Sequence, residues 1–331
     1  MRGVGKCFLL FLGLVGCAKG PVFSPPLPTV EPKGYFSYRT GPINGGTRIF
    51  LIAGGMTTAS FAEEVIRQKR HWKATGLHDS QIACYYAIPS PRAFAMDFEQ
   101  YRALAPELSE CQPAFPGRIF SDIVRVLDKG IVDWIYVYAT SHGNKPIVAR
   151  ELSASDVSLR NELERAPILG QHFLYTDVSP AWQSAFGTQN WRWVAEGWSE
   201  TDLFFTPRGL KQALDRAPDV QKYVTLQGCY SGGFLTSQVP ELARDGLAGL
   251  PNSSVLTSSS ADRPSFGCQP GIEQTYFGHI YNEALKADPV WPPQVDWPAL
   301  VQRVRSGVET LEAAVGGERS RPQFSSTILG R

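Results

Sequence analysis

Short apolar runs recur along the chain, and each one is closed by glycine or by a polar turn. The runs at 48–53, 81–87, 134–139, 224–227 and 254–258 have the length of strands, and their apolar residues are not confined to alternate positions. This pattern is typical of strands that are buried on both faces of a parallel sheet. Such a sheet needs helices on both faces, so the pattern predicts an α/β fold.

Helical periodicity fills several of the stretches between these runs. Ser60, with Glu63 three residues later, fits a capping box at the start of the first helix, and Gly76 suits its end. Thr206 and Asp296 are start signals for two later helices. The apolar positions that define the helical faces are Phe61, Val65, Ile66 and Trp72, then Ile119, Ile123, Val126 and Leu127, then Leu210, Ala213 and Leu214, then Tyr276, Phe277, Ile280, Tyr281, Ala284 and Leu285, and last Leu300, Val301, Val304, Val308 and Leu311.

Two stretches lack this regularity. Residues 89–116 are rich in proline, aromatic residues and helix breakers, so we expect a long connection there. Residues 152–205 are rich in aromatic residues and are expected to form an insertion that covers a core edge or makes a small subdomain. No internal repeat or domain boundary is visible after residue 40, so residues 41–331 are predicted to form a single domain.

The first forty residues are not expected to belong to the fold. Residues 1–16 have the basic start and the short apolar core of a signal peptide, and this core is too short to span a bilayer. The run Leu14-Val15-Gly16-Cys17 resembles the lipobox of bacterial lipoproteins, which implies cleavage before Cys17 and attachment of lipid to its sulfur. Five prolines make residues 17–40 a stiff tether.

This N-terminus also predicts where the protein resides. Ala18, rather than aspartate, after Cys17 suits the outer membrane of a Gram-negative cell, so we expect a lipid-anchored protein of the bacterial cell envelope that faces the periplasm. The alternative is an ordinary signal peptide whose small residues precede Cys17 by chance.

Composition and charge narrow the range of partners. The 331 residues are 43% hydrophobic, which is enough for a substantial core, and the net charge of +1 gives no reason to expect nucleic acid. The histidines outside the site discussed next are isolated or poorly spaced, so no metal or other cofactor is expected. In an oxidising compartment Cys84 and Cys111 could pair, or either could pair with Cys268, which leaves one odd thiol if Cys229 stays free.

Candidate chemistry lies directly after two of the predicted strands. The run 134–139 leads into His142-Gly143, and the run 224–227 leads into Gly228-Cys229. The carboxyl ends of parallel strands are where sites form in open α/β sheets. There His142 can act as base and Cys229 as nucleophile, while the amides of Gly143 and Cys229 are candidates for an oxyanion hole.

These blocks, in this order, resemble the legumain/caspase superfamily of cysteine peptidases. The 254–258 strand and its loop, and residues 265–277 beyond it, are similar to the legumain-like branch in particular. The resemblance covers roughly residues 48–290. It implies a caspase-like three-layer sandwich, with a mostly parallel central sheet and helices on both faces, and a peptide or protein substrate cleaved by acyl transfer.

The primary specificity pocket departs from the legumain pattern. Legumain relatives carry an asparagine and a basic residue after the first strand, where this chain has Gly55-Met56-Thr57-Thr58. The resemblance implies substrate-binding roles for Gln227, Ser259, Asp262 and Arg263. Asp262 and Arg263 could equally form an exposed ion pair, so the preferred residue at the cleavage position is left open. No third residue that orients His142 is visible.

Two other functions compete with that of a cysteine endopeptidase or transpeptidase. A non-catalytic lipoprotein could keep the fold as a protein- or peptide-binding module, although a binding module needs neither His142 nor Cys229. An α/β-hydrolase with a cysteine nucleophile needs glycine two residues on either side of the nucleophile and a histidine later in the chain. Gln227 and Ser231 occupy those two positions, which argues against the hydrolase.

Overall fold

The computed structural model describes residues 43–54, 58–87, 98–148, 168–169, 171–175, 204–269 and 271–328. The predicted signal peptide, the lipidation at Cys17, the tether, Gly55 and most of the 152–205 insertion lie outside these residues. The described helices are α1 (Ala59–Ala74), α2 (Phe98–Leu108), α3 (Pro116–Asp128), α4 (Pro207–Leu214), α5 (Tyr276–Lys286) and α6 (Trp297–Val315). The described strands are β1 (Ile49–Ala53), β2 (Ile82–Tyr86), β3 (Gln112–Pro113), β4 (Trp134–Thr140), β5 (Gly143–Asn144), β6 (Ile147–Val148), β7 (Ile168–Leu169), β8 (Phe173–Leu174), β9 (Gln221–Gln227), β10 (Ser253–Thr257) and β11 (Gln323–Ser326).

Seven of these strands form one sheet in the order β11-β10-β9-β4-β1-β2-β3. Every neighbouring pair in this sheet is parallel except β11, which runs antiparallel to β10. The short strands form two antiparallel pairs outside the sheet, β5 with β8 and β6 with β7. The predicted mostly parallel central sheet is confirmed.

The sheet has helices on both faces. Residues such as Leu51 and Tyr136 point to one side, where they pack with α1, α2, α5 and α6. Their chain neighbours Phe50 and Val137 point to the other side and pack with α3 and α4. Because successive side chains of a strand face opposite ways, apolar residues at every position serve both layers. The predicted three-layer α/β sandwich is therefore confirmed.

Three elements differ from the sequence-based expectation. The expected long connection at 89–116 contains α2 and β3, because Leu104, Ala105 and Leu108 bury an apolar face that the surrounding breakers concealed. Helix α1 begins at Ala59 rather than after a Ser60 cap. Strand β11 was not predicted at all, since it is short, partly exposed and lies on the sheet edge.

The start signals of the later helices are confirmed. The Asp296 side chain accepts a hydrogen bond from the Ala299 amide at 3.0 Å, and the Thr206 hydroxyl accepts one from the Gly209 amide at 3.2 Å. No described helix is both long enough and apolar enough to cross a membrane.

A disulfide joins Cys84 of β2 to Cys111 just before β3, with 4.6 Å between their Cα atoms. This was one of the pairings left open by the sequence. Cys268 is disulfide-bonded as well. The odd thiol expected beside Cys229 concerns a chain whose Cys17 carries lipid, so it stays a prediction. Cys229 is the free cysteine of the described residues.

Candidate active site

The candidate site lies at the carboxyl edge of β4 and β9, which are neighbours in the sheet. Thr140, the last residue of β4, pairs in register with Gln227, the last residue of β9. His142 and Cys229 each follow two residues later, so the two strands deliver them to the same edge at the same height. This register is what places both residues at one edge of the sheet.

Two glycines let the loops after β4 and β9 touch through their backbones. The Ser141 amide donates to the Gln227 carbonyl at 3.1 Å. A Cβ atom on Gly143 would overlap the carbonyl oxygen of Cys229, and one on Gly228 would lie 2.7 Å from the carbonyl oxygen of Ser141. Any side chain at either position would therefore push the loops apart.

The Cys229 thiol is buried and is surrounded by backbone groups. Cys229 is 8% exposed. The Ser265 amide donates to its Sγ at 3.4 Å, and the Ser265 carbonyl oxygen lies 3.5 Å from the same sulfur. Burial raises the pKa of Cys229, and the amides of Ser265, Cys229 and Gly143 counteract part of that rise. The two amides predicted to form an oxyanion hole are thus both close to the sulfur.

His142 is held by two side chains from the start of α1. Its Nε2 lies 2.9 Å from the hydroxyl oxygen of Thr58, and its ring meets the Phe61 ring edge-on at a centroid distance of 5.1 Å. The ring keeps some exposed surface, but the protein atoms packed around it lower the pKa of His142 to about 4. At neutral pH the imidazole is therefore neutral, and so is the thiol.

Thr58 orients His142, and no local sequence motif indicates this role. It stands at the N-cap position of α1, where its side chain makes no capping hydrogen bond because it is bonded to His142. Ser60 and Glu63 match the capping-box pattern, so the sequence indicates a helix start two residues after the true N-cap. The sequence signal that remained was a hydroxyl in the loop after the first strand.

A set of serines holds the turn that carries Cys229. The Gly228 amide donates to Ser258 Oγ at 2.9 Å, and the Gly228 carbonyl accepts from Ser259 Oγ at 3.0 Å. Ser259 Oγ also accepts from the Ser231 amide at 3.1 Å. This support fixes a strained turn, since Tyr230 adopts a left-handed conformation with φ of 60°.

The structure separates the four predicted substrate-binding residues into two groups. Gln227 and Ser259 are buried, and their side chains bond to Thr140, Ser265 and the Cys229 turn, so their observed role is support from beneath. Asp262 and Arg263 lie at the surface and form the ion pair that was the alternative interpretation, with 3.6 Å between Asp262 Oδ2 and Arg263 Nε; Arg263 also pairs with Glu318. Any contact of these four with a substrate stays a prediction.

Among the described residues, no group of three histidine, cysteine, aspartate or glutamate side chains is placed to hold a metal ion. The arrangement that does exist is a thiol, an imidazole and converging backbone amides on a mostly parallel sheet. In chemical terms this is a candidate site for thiol-dependent acyl transfer.

Comparison with known proteins finds similar solved structures at low sequence identity. No family model and no curated protein matches the chain. Two similar solved structures are caspase-1 from Spodoptera frugiperda, at 12% identity over 88% of this chain and 94% of that one, and pro-sf-caspase-1, at 13% identity over 94% of each; both have a TM-score of 0.44. Similarity at this level carries no argument about activity, which has to come from the site itself.

Proposed function

We propose that this protein is a cysteine peptidase of the legumain/caspase type, with Cys229 as nucleophile and His142 as the acid–base group. The observation that carries the proposal is the register of β4 and β9, which brings His142-Gly143 and Gly228-Cys229 into backbone contact at one edge of the sheet. A buried structural thiol would need neither the histidine nor the glycines.

The proposed reaction begins with a neutral thiol and a neutral imidazole. As Cys229 Sγ bonds to the substrate carbonyl carbon, its proton passes to His142, and the carbonyl oxygen becomes an oxyanion that accepts hydrogen bonds from the Gly143 and Cys229 amides. Each such donor is worth roughly 3 kcal/mol in the transition state. His142 then protonates the leaving amine as the C–N bond breaks, and water hydrolyses the thioester; an incoming amine in place of water would give transpeptidation.

The proposal extends to the setting of the enzyme, on sequence evidence alone. The lipobox-like run that ends at Cys17 supports a lipid anchor, and Ala18 supports the outer membrane with the domain in the periplasm. The residues after β10 support the legumain-like branch. Its substrate would be a peptide or protein that reaches the membrane surface.

One observation favours a second candidate, a non-catalytic binding module with the same fold. Cys229 is 8% exposed, and burial raises the pKa of its thiol. A thiol in this condition reacts slowly unless a substrate or a movement of the loops activates it.

Hydrolysis of a mixed-sequence peptide library separates the two candidates. A peptidase should lose roughly 10²-fold to 10⁴-fold in kcat/KM in His142→Ala and all turnover in Cys229→Ala. His78→Ala, on an exposed turn remote from β4 and β9, is the matched control and should cleave like the wild type. Peptide binding without cleavage in the wild type would favour the binding module, and cleavage that persists in Cys229→Ala would contradict the proposal.

A further inference from the structure

A buried carboxyl group lies beneath the candidate site and has no part in the reaction proposed above. Glu64 of α1 is 0% exposed. Its Oε2 accepts a hydrogen bond from the Tyr138 hydroxyl at 2.8 Å and lies 2.6 Å from the Thr140 hydroxyl, and its Oε1 accepts one from the Thr275 amide at 2.8 Å. Burial of a carboxyl group is costly, so three hydrogen-bond partners around it indicate a defined structural task.

A chain of hydrogen bonds leads from Glu64 to the sulfur of Cys229. The Thr140 hydroxyl also contacts Gln227 Oε1 at 2.8 Å, and Gln227 Nε2 donates to Ser265 Oγ at 3.5 Å. The Ser265 amide in turn donates to Cys229 Sγ at 3.4 Å. The chain crosses from α1 through the ends of β4 and β9 to the loop after β10.

Glu64 also holds the far end of that loop. The Thr275 amide donates to Glu64, and Thr275 is also the N-cap of α5, where its hydroxyl accepts from the Gly278 amide at 3.0 Å. A Cβ atom on Gly278 would overlap the Glu64 carboxyl group, so the helix leaves room for it. Glu64 therefore fixes the loop at Ser265, through Gln227, and at Thr275 directly.

We propose that Glu64 is a positioning residue that sets the reactivity of Cys229 by holding the Ser265 amide against its sulfur. The proposal rests on the role of Cys229 as nucleophile given above. The Ser265 amide is one of the three that favour the thiolate, so a loop that drifts from the sulfur leaves a thiol that is harder to ionise.

Counting protons predicts which substitution preserves this arrangement. Thr140 has one hydroxyl proton but contacts two acceptor oxygens, on Glu64 and on Gln227. If Glu64 is protonated it can donate to Thr140, which then donates to Gln227, and every contact is satisfied. Burial raises the pKa of Glu64, which favours this form. Glutamine at position 64 can donate to Thr140 through Nε2 and accept from the Thr275 amide through Oε1, whereas alanine can do neither.

The test measures the rate of Cys229 alkylation by iodoacetamide as a function of pH, with modification at Cys229 followed by mass spectrometry. The full chain is used as wild type, Glu64→Gln, Glu64→Ala, Thr140→Val and Gln68→Ala. Gln68 is the matched control, because it is a buried polar residue one turn further along α1 that bonds to Tyr136, Trp72 and Asn282. Circular dichroism verifies folding of each variant.

Glu64→Ala and Thr140→Val should raise the pKa of the thiol and slow alkylation at pH 7 by roughly threefold to tenfold, the equivalent of one hydrogen bond. Glu64→Gln and Gln68→Ala should stay within about twofold of the wild type. An equal loss of alkylation rate in Gln68→Ala would overturn the proposal. A wild-type alkylation rate in Thr140→Val would also overturn it, and this variant gives the decisive result if Glu64→Ala does not fold. If the alkylation rates follow this pattern but the protein cleaves no peptide, the peptidase proposal is wrong and the positioning role of Glu64 is retained.

Discussion

At the scale of single residues, the site depends on groups that give up one role to serve another. Thr58 occupies an N-cap position, where a threonine hydroxyl usually accepts from a helix amide and is worth about 1 kcal/mol. Here the hydroxyl bonds to His142 instead, and α1 begins without a side-chain cap. Thr206, at the start of α4, shows the ordinary use of the same residue.

These two threonines make a matched pair for mutation. Thr58→Val keeps the shape of the side chain but removes the hydrogen bond to His142, so kcat/KM should fall by roughly twofold to tenfold with little change in stability. Thr206→Val should do the reverse, with a loss of about 1 kcal/mol of stability and unchanged kcat/KM. Peptide hydrolysis and urea unfolding of both variants check the prediction; a Thr58→Val protein that is less stable but equally active would show that Thr58 only supports the helix.

Gly143 offers a steric test of the loop contact. Gly143→Ala would drive a methyl group into the Cys229 backbone, so it should cost about 1–3 kcal/mol of stability and at least 100-fold in kcat/KM. Gly249→Ala is the control, because nothing lies within 4 Å of its added Cβ atom. Full activity in a folded Gly143→Ala protein would mean that the two loops need not touch.

At the scale of elements, the disulfide between Cys84 and Cys111 fastens the edge of the sheet remote from Cys229. It joins β2 to the end of the segment that contains α2, and it closes 27 residues of chain. Neither cysteine belongs to β4 or β9, so the bond should support the fold without affecting the site.

Removal of this disulfide should therefore separate stability from reactivity. The double variant Cys84→Ala/Cys111→Ala is expected to lose about 3–4 kcal/mol of unfolding free energy, from the loop-closure entropy of a segment of this length. Denaturant unfolding measures that loss, and the alkylation rate of Cys229 in the folded variant should equal that of the wild type. A slower rate would show that the edge strands and the site are coupled.

At the scale of the whole molecule, three histidines that lose contact with water on folding make stability depend on pH. Burial lowers the pKa of His71, His142 and His172 to about 4 in each case. The unfolded chain takes up protons at these groups near pH 6.5, whereas the folded protein does so only near pH 4, so their contribution is complete above pH 6.5 and is lost as the pH falls towards 4. Burial raises the pKa of Glu64 and Glu312, which opposes this loss in part.

We expect the free energy of unfolding to decrease from pH 7 to pH 5, by up to about 1.4 kcal/mol per pH unit for each histidine proton. His71 allows the assignment, because its Nε2 is buried without a hydrogen-bond partner. His71→Leu should retain the stability of the wild type at pH 7 and reduce the pH slope by about one proton. Unfolding curves at several pH values give the slope, and a wild type whose stability is constant or rises on acidification would contradict the assignment.

The sheet and the candidate pair His142 and Cys229 could be predicted from the sequence, because both produce local sequence patterns. Continuous apolar runs indicate strands of a parallel sheet, and glycine beside His142 and Cys229 indicates close backbone approach. The contacts of Thr58 with His142 and of Ser265 with Cys229 could not be predicted, since each forms only after strands distant in the chain have paired. Strand β11 is set by its partner β10 rather than by its own polar sequence.

The most direct test of the central claim is covalent trapping with a peptidyl acyloxymethyl ketone, compared with iodoacetamide. The ketone uses the oxyanion hole and the proton on His142, whereas iodoacetamide needs only the thiolate. We predict a thioether at Cys229 in the wild type, none in Cys229→Ala, and trapping at least 100-fold slower in His142→Ala, while the iodoacetamide rate of His142→Ala changes little because His142 is neutral in the free protein. Ketone labelling that is indifferent to His142 and no faster than simple alkylation would contradict the claim.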